Sequence, residues 1–394
     1  MITMKQFFRD LSKNLYRYIA KPIFFKLSPD FAHSFMIKIS KVLQYIPGVN
    51  WLIHTLIVDN ENTKDNKVDL EQKLAGVTYK GPVGLTAGFD KNLETVGMMK
   101  AVGFSFMEGG TITYKPYKGN PKPWFYRLPN SKSLVVNAGL ANQGAPKILA
   151  RLSKIKNKWH QDFPINISVG KTNCKENANE DCGINDYIST LKLLKNHPYV
   201  DAITLNISCP NVYGGEPFTT PRSIKKLLTE VDKLDIEKPI WIKMPIDKTD
   251  AEFKELLDEI VKHKITGVTI SNLFKDRKKV ELKDKLPDSV KGNLSGLPTQ
   301  KRSNELIALT YKNYKDKLYI SGVGGIFSAE DAYEKIKNGA NLVQLITGVI
   351  FNGPQLPAQI NHDLKTLLEK DGYSNIKEAI GSNFKKQSDI KSKK

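Results

Sequence analysis

The sequence predicts an α/β fold, a (β/α)8 TIM barrel that follows an N-terminal helical extension. Short runs rich in Val, Ile and Leu alternate with longer amphipathic segments over roughly 280 residues, the pattern of parallel strands joined by helices. Glycine and polar residues directly follow these runs. A doubly wound parallel sheet is the alternative that this alternation leaves open. The predicted strands are Val83–Ala87, Phe104–Glu108, Ile165–Ser168, Ala202–Leu205, Pro239–Lys243, Gly267–Ile270, Leu318–Ser321 and Leu342–Leu345.

The N-terminal extension, residues 1–60, is predicted to contain two amphipathic helices. A second helix is expected to begin at Ser28-Pro29-Asp30 and to end at Pro47-Gly48. In the first helix a basic residue recurs at every fourth position, while bulky apolar residues fall largely on the other side. Such a pair can lie on an anionic membrane surface, or its apolar face can pack on the main domain; both interpretations stay open. The basic positions are Lys5, Arg9, Lys13, Arg17 and Lys21.

The rest of the chain is predicted to form one large domain, residues 61–382, and a disordered basic tail, residues 383–394. A polar stretch from Asp59 to Asp69 has the composition of a linker. The segment from Thr111 to Val136 is rich in Pro, Tyr and Lys, and it is predicted to form a hairpin or lid. A charged excursion, from Lys275 to Gly292, follows the sixth predicted strand.

The composition of the chain limits the classes of function that it can have. The chain of 394 residues has 60 basic and 41 acidic residues, hence a net charge of +19. That charge fits a polyanion, an anionic membrane or a small anion as partner, and equally well a merely solvated surface. Three cysteines are too few for a disulfide framework, which favours a reducing, cytosolic compartment. No apolar run reaches the ~18 residues of a membrane-spanning helix, and charges interrupt any secretory signal at the N-terminus.

Several classes of site are not expected. The histidines and cysteines lack the spacing of zinc ligands, so no metal site is predicted. No G-x-x-x-x-G-K-[ST] phosphate loop occurs. Nucleic-acid-binding modules are also missing, so nucleic acid is not an expected partner.

Chemically capable residues follow every predicted strand, where the carboxyl ends of barrel strands converge on one mouth. Gly324-Gly325 precedes a predicted helix N-terminus, and Thr347-Gly348 follows the last strand. Together they favour a phosphate-bearing ligand, although tight turns use the same residues. Lys91 and Lys243 come at strand ends, where a lysine at the mouth is expected to face an anion.

The sharpest motif runs from Asn206 to Asn211. Its asparagines can bind a planar, carbonyl-rich ligand without adding charge. Cys209 lies between them, and a thiol with a reference pKa of about 8.5 accepts a proton more readily than a serine hydroxyl. Cysteines are more often small buried apolar residues, the interpretation favoured for Cys174 and Cys182.

With these residues in place, the chain resembles the dihydroorotate dehydrogenases from about Ile23 to Pro354. The markers are Ala87–Lys91, Asn206–Asn211, Leu294–Gly296 and Gly322–Ile326. The segment from Phe25 to His33 is similar to the N-terminal helices of the membrane-associated, quinone-using class.

The resemblance implies a barrel that binds FMN, oxidises dihydroorotate to orotate in pyrimidine biosynthesis and passes electrons to quinone. It also implies a peripheral position on the cytoplasmic side of the cell membrane, reached through the N-terminal helices. Cys209 is implied as the general base, with Lys91 as the second catalytic residue. The implied cofactor contacts are Ala87, Gly88, Lys91, Thr111, Asn166, Asn206, Lys243, Ser271, Gly296, Gly325, Thr347 and Gly348. The implied substrate contacts are Lys91, Asn137, Gly139, Leu140, Asn206, Asn211 and Asn272, and the quinone contacts are His33 and Arg127.

The chain departs from the quinone-using class at several positions. That class has serine where this chain has Cys209, threonine where it has Val212, and commonly tyrosine where it has Ile346. The segment that begins at Asn137 is shorter than the family pattern. These differences leave room for a soluble-type dihydroorotate or related dihydropyrimidine dehydrogenase with another acceptor. A non-catalytic flavin- or phosphate-binding protein at a membrane surface, and a barrel isomerase for a phosphorylated sugar, are the alternatives outside that chemistry.

Overall fold

The computed structural model describes residues 3–59 and 68–385, and its centre is a closed barrel of eight parallel strands. Every predicted strand overlaps one of these eight, so the predicted (β/α)8 barrel is confirmed. The residues of these strands are buried almost without exception, which explains why they are continuous apolar runs without alternation. The barrel strands are β3 (Val83–Leu85), β4 (Phe106–Ile112), β7 (Ile165–Val169), β8 (Ala202–Asn206), β9 (Ile240–Lys243), β10 (Gly267–Ile270), β12 (Tyr319–Val323) and β13 (Leu342–Leu345).

Helices follow the barrel strands and surround them. Several begin with a side-chain cap: Thr249 and Glu252 form a reciprocal capping box, and Ser328 accepts a hydrogen bond from the Asp331 backbone. The helices of the barrel region are α5 (Val96–Ala101), α6 (Ala145–Leu152), α7 (Asn157–His160), α8 (Glu180–Leu194), α9 (Pro221–Asp232), α10 (Asp250–Ile260), α11 (Gln300–Tyr314), α12 (Ala329–Lys337), α13 (Thr347–Asn352), α14 (Leu356–Lys370) and α15 (Ile376–Ala379).

Two small sheets accompany the barrel. β1 (Gln72–Leu74) and β2 (Val77–Tyr79) form an antiparallel pair before the first barrel strand. β5 (Phe125–Leu128) and β6 (Ser133–Val136) form an antiparallel hairpin, and β11 (Asn293–Leu294) pairs with β6. The hairpin predicted between Thr111 and Val136 is therefore present. β11 follows the charged excursion, which contains a short 3-10 helix at Arg277–Lys279.

The N-terminal extension is helical throughout its described part. Ser28 caps the third α-helix by accepting from the Phe31 backbone, as its sequence context indicates. A fourth helix, absent from the prediction, begins directly after Gly48, where the chain was expected only to turn. The extension contains α1 (Met4–Leu15), a π-helix (Tyr16–Ala20), α2 (Lys21–Lys26), α3 (Pro29–Leu43) and α4 (Val49–Ile57).

The basic residues of the first helix do not share one environment, although the sequence predicts that they form one stripe. Arg9 is fully buried and pairs with Asp59 at 2.9 Å, and Lys5 donates to the Val58 carbonyl. Lys13 and Arg17 remain exposed. The reason is electrostatic: Asp59, at the end of the extension, attracts the guanidinium inward and satisfies it there.

Many large apolar side chains of the extension face outward instead. Packing of the apolar face on the main domain, one of the two interpretations left open by the sequence, therefore does not account for these positions. The exposed apolar residues are Met4, Phe7, Leu11, Leu15, Tyr18, Ile19, Ile23, Leu27, Phe31, Phe35, Ile39, Val42, Tyr45, Ile46, Trp51 and Leu52.

Two predicted segments lie partly outside the described residues. Most of the polar linker, residues 60–67, is among those not described, and so are residues 386–394 of the predicted tail. The first residues of that tail contact the barrel helices: Asn383 donates to Glu334 and Asn338, and the Phe384 ring stacks on Tyr311.

Candidate active site

The carboxyl ends of the barrel strands surround a cavity of about 200 Å³, and most of the predicted site residues line it. They come from segments far apart in the chain, which supports their assignment to one site. The predicted residues that line this cavity, here called the mouth cavity, are His33, Ala87, Gly88, Lys91, Thr111, Gly139, Leu140, Asn206, Cys209, Asn211, Lys243, Ser271, Asn272, Gly296, Gly325, Thr347 and Gly348.

Three predicted residues lie outside that lining. The Asn166 side chain is buried within β7, and its Oδ1 atom has no hydrogen-bond partner among the described residues. Asn137 Oδ1 accepts from Asn120 Nδ2 at 3.2 Å. Arg127 donates to the Leu27 carbonyl at 2.7 Å and stacks over the Phe25 ring, so it joins the hairpin to the N-terminal extension.

An amide network holds the end of β8. Asn206 Nδ2 donates to Thr111 Oγ1 at 2.9 Å, and Asn206 Oδ1 accepts from Asn272 Nδ2 at 3.2 Å. Asn272 also donates to the Ser208 carbonyl at 2.8 Å. Since each amide is oriented by a neighbour, the wall presents fixed donors and acceptors to a polar ring in the cavity.

A second set of asparagine side chains joins the β5–β6 hairpin to the same wall. Asn211 donates to the Val136 carbonyl at 3.0 Å and accepts from Asn293 Nδ2 at 2.7 Å. Asn120, in the loop before the hairpin, donates to the Asn211 carbonyl at 3.0 Å. The hairpin and β11 therefore cover the mouth cavity and fix the loop that bears Cys209.

Cys209 faces the mouth cavity from the loop after β8. Burial is the main reason that the pKa of its thiol is raised to about 11; the Asn211 backbone hydrogen bond lowers the pKa, Glu216 raises it, and Lys243 and Lys171 lower it. Near neutral pH the Cys209 thiol is therefore protonated in this site, so only its minor ionised fraction accepts a proton. Lys171 also braces the loop, because its Nζ donates to the Tyr213 carbonyl at 2.8 Å.

Two lysines bring positive charge to the cavity. Burial lowers the pKa of Lys91 to about 8 and also lowers the pKa of Lys243. Lys243 Nζ has one long hydrogen bond, 3.4 Å to Thr86 Oγ1. Lys91 Nζ lies 3.2 Å from His33 Nε2. Neither ammonium group pairs directly with a carboxylate in the described part of the chain, so both are available to an anionic ligand.

The glycines at the strand ends form a tight backbone turn. Gly324 and Gly325 have φ values of 107° and 69°, which favour glycine. A Cβ on Gly324 would lie 2.4 Å from Thr299 Oγ1, and one on Gly325 would lie 2.3 Å from the Gln300 Cβ. α12 begins just beyond them, with its free N–H groups at the same end of the barrel.

Sequence reasoning missed several residues of the site. Gln344 lines the cavity from inside β13 and Thr86 lines it directly after β3; a polar residue in or beside an apolar run was an available signal for both. Phe125 lines it from the hairpin, and Asn120 joins two site asparagines, but no local pattern indicated either role. The described residues contain no group of three or more His, Cys, Asp or Glu side chains that could hold a metal ion.

A second cavity, of about 680 Å³, lies between the N-terminal extension and the barrel. We call it the apolar cavity, because its lining is almost entirely apolar. It shares Phe89 and Ile346 with the mouth cavity, so the two lie on opposite sides of a common wall. His33 lines the mouth cavity and not this one. The lining includes Phe8, Leu11, Leu15, Tyr16, Ile19, Phe24, Phe35, Met36, Ile39, Leu43, Ile53, Leu56, Phe89, Ile346 and Val349.

No helix in the described ranges 3–59 and 68–385 is long and apolar enough to span a membrane. The extension nevertheless places its exposed apolar residues around the apolar cavity, because Leu11, Leu15, Ile19, Phe35 and Ile39 belong to both sets.

Comparison with known proteins agrees with this architecture. The sequence profile of the family described as dihydroorotate dehydrogenase matches residues 69–368. The dihydroorotate dehydrogenase (quinone) of Trichodesmium erythraeum is 34% identical over 93% of this chain and 98% of its own length. The enzyme of the same name from Sulfurovum sp. is 35% identical over 93% of this chain and 98% of its own length.

Solved structures give the same result. The dihydroorotate dehydrogenase of Eimeria tenella in complex with ferulenol has a TM-score of 0.75 and 26% identity, and the match covers 90% of this chain and 96% of that one. The family profile covers more than half of the chain, and the relatives span the N-terminal extension as well as the barrel. This chain is therefore a member of the dihydroorotate dehydrogenase family.

Proposed function

We propose that this protein oxidises (S)-dihydroorotate to orotate with bound FMN and passes the electrons to a quinone, in de novo pyrimidine biosynthesis. One observation supports this most strongly: Cys209, Lys91 and three asparagines line the same cavity as the glycine turn at β12. A proton acceptor, a cation and amide groups are what a ring with one carboxylate, two carbonyls and an acidic C–H requires.

The residues present fit a flavin, the cofactor class of this family. Ser271, which lines the mouth cavity, has a buried Oγ that lacks a partner among the described residues, as expected of a group reserved for a ligand. Asn166 Oδ1 is likewise buried without a partner among them, on β7 outside that lining. A Cβ on Gly88 would meet nothing within 4 Å, so this position leaves open space beside the cavity. The glycine turn at Gly324-Gly325 and the start of α12 suit the phosphate that distinguishes FMN from riboflavin.

Bound FMN would supply the two-electron acceptor that takes the hydride from C6 of the substrate. Cys209 then has one task, which is to accept the proton from C5. Because the pKa of its thiol is about 11, little thiolate is present near neutral pH, although that thiolate is a strong base, so the proton transfer is expected to depend on pH. Lys91 holds the substrate carboxylate, and Asn206, Asn211 and Asn272 orient the ring. Lys243 favours negative charge on the cofactor's pyrimidine end.

The apolar cavity suits a quinone. Its lining has almost no polar groups, as the long hydrocarbon chain and ring of a quinone require. It shares a wall with the mouth cavity through Phe89 and Ile346. The quinone-dependent relatives align with the extension as well as the barrel. These observations favour a quinone over the acceptors of the soluble-type enzymes, in spite of Cys209.

The exposed apolar side chains of the extension support a peripheral position at a membrane surface, which we propose to be the cytoplasmic side of the cell membrane. Sixteen of the exposed large apolar side chains belong to this extension, and such a concentration is typical of a surface that contacts a membrane or another protein. Exposed Lys13 and Arg17 lie beside it, which suits anionic lipid headgroups. A quinone dissolved in the lipid could then enter the apolar cavity without crossing water.

An anaerobic experiment tests the proposal. The purified protein should have the absorbance spectrum of a flavin, and HPLC should identify the flavin as FMN. Dihydroorotate should bleach it, and a quinone analogue should restore the colour, whereas fumarate and NAD should not. Purification without flavin would overturn the proposal, and reoxidation by fumarate or NAD alone would move the protein to the soluble-type class.

A further inference from the structure

The amino group of Lys91 is held by a residue of the N-terminal extension. Lys91 Nζ lies 3.2 Å from His33 Nε2, and His33 is its one hydrogen-bond partner among the described residues. Lys91 follows β3 in the barrel, whereas His33 belongs to α3, so the two are 58 positions apart in the chain. The contact therefore depends on how the extension docks.

The carboxylate nearest to Lys91 in sequence is already occupied. Asp90 Oδ2 accepts from the Thr95 backbone N–H at 2.7 Å and from its hydroxyl at 2.8 Å, and Asp90 Oδ1 accepts from the Glu94 backbone at 2.9 Å. Asp90 therefore orients the loop and leaves the ammonium group to another acceptor. Phe125 adds a π-face, with its ring centroid 5.2 Å from Lys91 Nζ.

His33 is suited to act as that acceptor. Burial lowers its pKa well below the usual value, and Lys91 lowers it further, so the imidazole is neutral and one ring nitrogen is free to accept. The ring contacts Phe89 edge to face and Phe125 at a tilt, at centroid distances of 5.4 and 5.3 Å. A neutral acceptor holds the lysine without cancelling its charge, which a carboxylate would do.

The helix that bears His33 is itself anchored to the β5–β6 hairpin and the residue before it. The Asp30 carboxylate accepts from the backbone N–H groups of Trp124 at 3.1 Å and Phe125 at 3.4 Å. Lys41, near the other end of α3, pairs with Glu94 at 2.8 Å. His33 is therefore fixed relative to the hairpin and to the loop that contains Lys91.

We infer that His33 is a positioning residue for the dihydroorotate half of the reaction: its Nε2 accepts from Lys91 and directs the ammonium group to the substrate carboxylate. This inference rests on the proposed role of Lys91 in substrate binding. It gives the extension a function in the mouth cavity that does not depend on quinone or lipid.

The test compares three variants in the absence of any quinone. In H33Q the amide can accept at the position of Nε2, in H33N the shorter amide cannot reach it, and H33L has no acceptor. Orotate is titrated into each oxidised flavoprotein, with flavin absorbance as the signal. We expect H33L and H33N to bind orotate about tenfold more weakly than the wild type, and H33Q to remain within about threefold of it.

Anaerobic mixing with dihydroorotate gives a second readout. The Kd for dihydroorotate should rise in H33L and H33N, while the limiting rate of flavin reduction changes little. S34A, at the exposed neighbour on α3, serves as the matched control and should equal the wild type. If all three His33 variants bind orotate as the wild type does, the inference is wrong.

The two failures are distinguishable. If dihydroorotate does not bleach the flavin of the wild-type protein, the proposed function is contradicted, whatever the variants do. If the wild-type flavin is bleached, but the wild type and the His33 variants bind orotate with equal affinity, only the role of His33 is contradicted. Equal weakening in H33Q and H33L would also contradict it, because it would mean that the ring shape matters and the acceptor does not.

Discussion

The lining of the mouth cavity includes charged and amide side chains, whereas the apolar cavity beside it is lined almost wholly by hydrocarbon. Residues of the barrel strand ends build the first, and residues of the N-terminal helices build most of the second. The difference separates two chemical tasks. Proton and hydride transfer need fixed polar groups, while a lipid-soluble acceptor needs the absence of such groups.

The comparison also predicts where mutations act. Changes at strand ends should alter flavin reduction by dihydroorotate, and changes in the extension should alter quinone reduction or membrane binding. His33 is the proposed exception, because it belongs to the extension and contacts the mouth cavity. Each half-reaction can be measured alone, so every prediction below tests this division.

The largest effect is expected for C209A. Without a proton acceptor at C5, anaerobic flavin reduction by dihydroorotate should slow by ~10²–10⁴-fold, while flavin content and reoxidation by quinone remain unchanged. In the wild type the limiting rate of reduction should rise with pH toward the thiol pKa of about 11, since only the ionised sulfur accepts the proton. An unchanged reduction rate in C209A, measured by stopped-flow absorbance, would exclude Cys209 as the base.

The next effect concerns the attachment of α1. Burial alone would raise the pKa of Asp59, but hydrogen bonds from His362 and Arg9 outweigh burial and lower it. D59N leaves the Arg9 charge buried without its partner, which should cost about 3 kcal/mol of local stability. Trypsin should then cleave faster after Lys13 and Arg17, and the KM for quinone should rise, because α1 forms part of the apolar cavity.

The Asp59 contact should also depend on pH. The pKa of Asp59 is lower in the folded protein than in the unfolded chain, so its stabilising contribution is complete above the unfolded value of about 3.9 and is lost as the pH falls below it. In D59N that acid-dependent part of the loosening should disappear. Equal trypsin cleavage rates of wild type and D59N at neutral pH would contradict the proposed anchor.

A smaller effect is expected for K91M. Loss of a charged hydrogen-bond donor should raise the Kd for dihydroorotate by ~10–100-fold, with quinone reduction unaffected. Wild-type affinity should be constant below pH 8 and weaken above it, because the folded pKa of Lys91 is about 8 and the neutral amine no longer attracts the carboxylate. A flat pH profile of orotate binding up to pH 9.5 would contradict this assignment of Lys91.

The smallest effect is expected at the exposed surface of the extension. F7S removes an apolar side chain that is 56% exposed on α1, and binding to anionic phospholipid vesicles should weaken about tenfold. The matched control is L193S, since Leu193 is 41% exposed on α8 of the barrel region. Flavin reduction by dihydroorotate should be unchanged in both. Equal vesicle binding by F7S and L193S would contradict the membrane surface.

The barrel and most of its site could be predicted because both depend on local signals. Strands buried on both faces give continuous apolar runs, and the residues that directly follow them must meet at the mouth. The positions of Lys243 and Asn206 in the site could be predicted from these signals alone. The resemblance to a known family added the roles of residues such as Leu140, which have no chemical signature of their own.

Other features depend on contacts that no local pattern contains. The inward turn of Arg9 follows from Asp59, 50 positions away, so the periodic basic stripe was misleading. The bridging role of Asn120 depends on the docking of the hairpin over the loop that bears Cys209. The pKa of Cys209 likewise depends on burial by distant segments, which is why the reference value of about 8.5 lies below the pKa of about 11 in this site.

The common wall formed by Phe89 and Ile346 has a consequence for resistance to inhibitors. A compound that fills the apolar cavity can be evaded by substitutions at positions such as Leu11 or Ile39, which touch only that side. Evasion through Phe89 or Ile346 would also reshape the mouth cavity and slow dihydroorotate oxidation. Variants that resist an inhibitor contacting mainly these two residues should therefore grow more slowly when no pyrimidines are supplied.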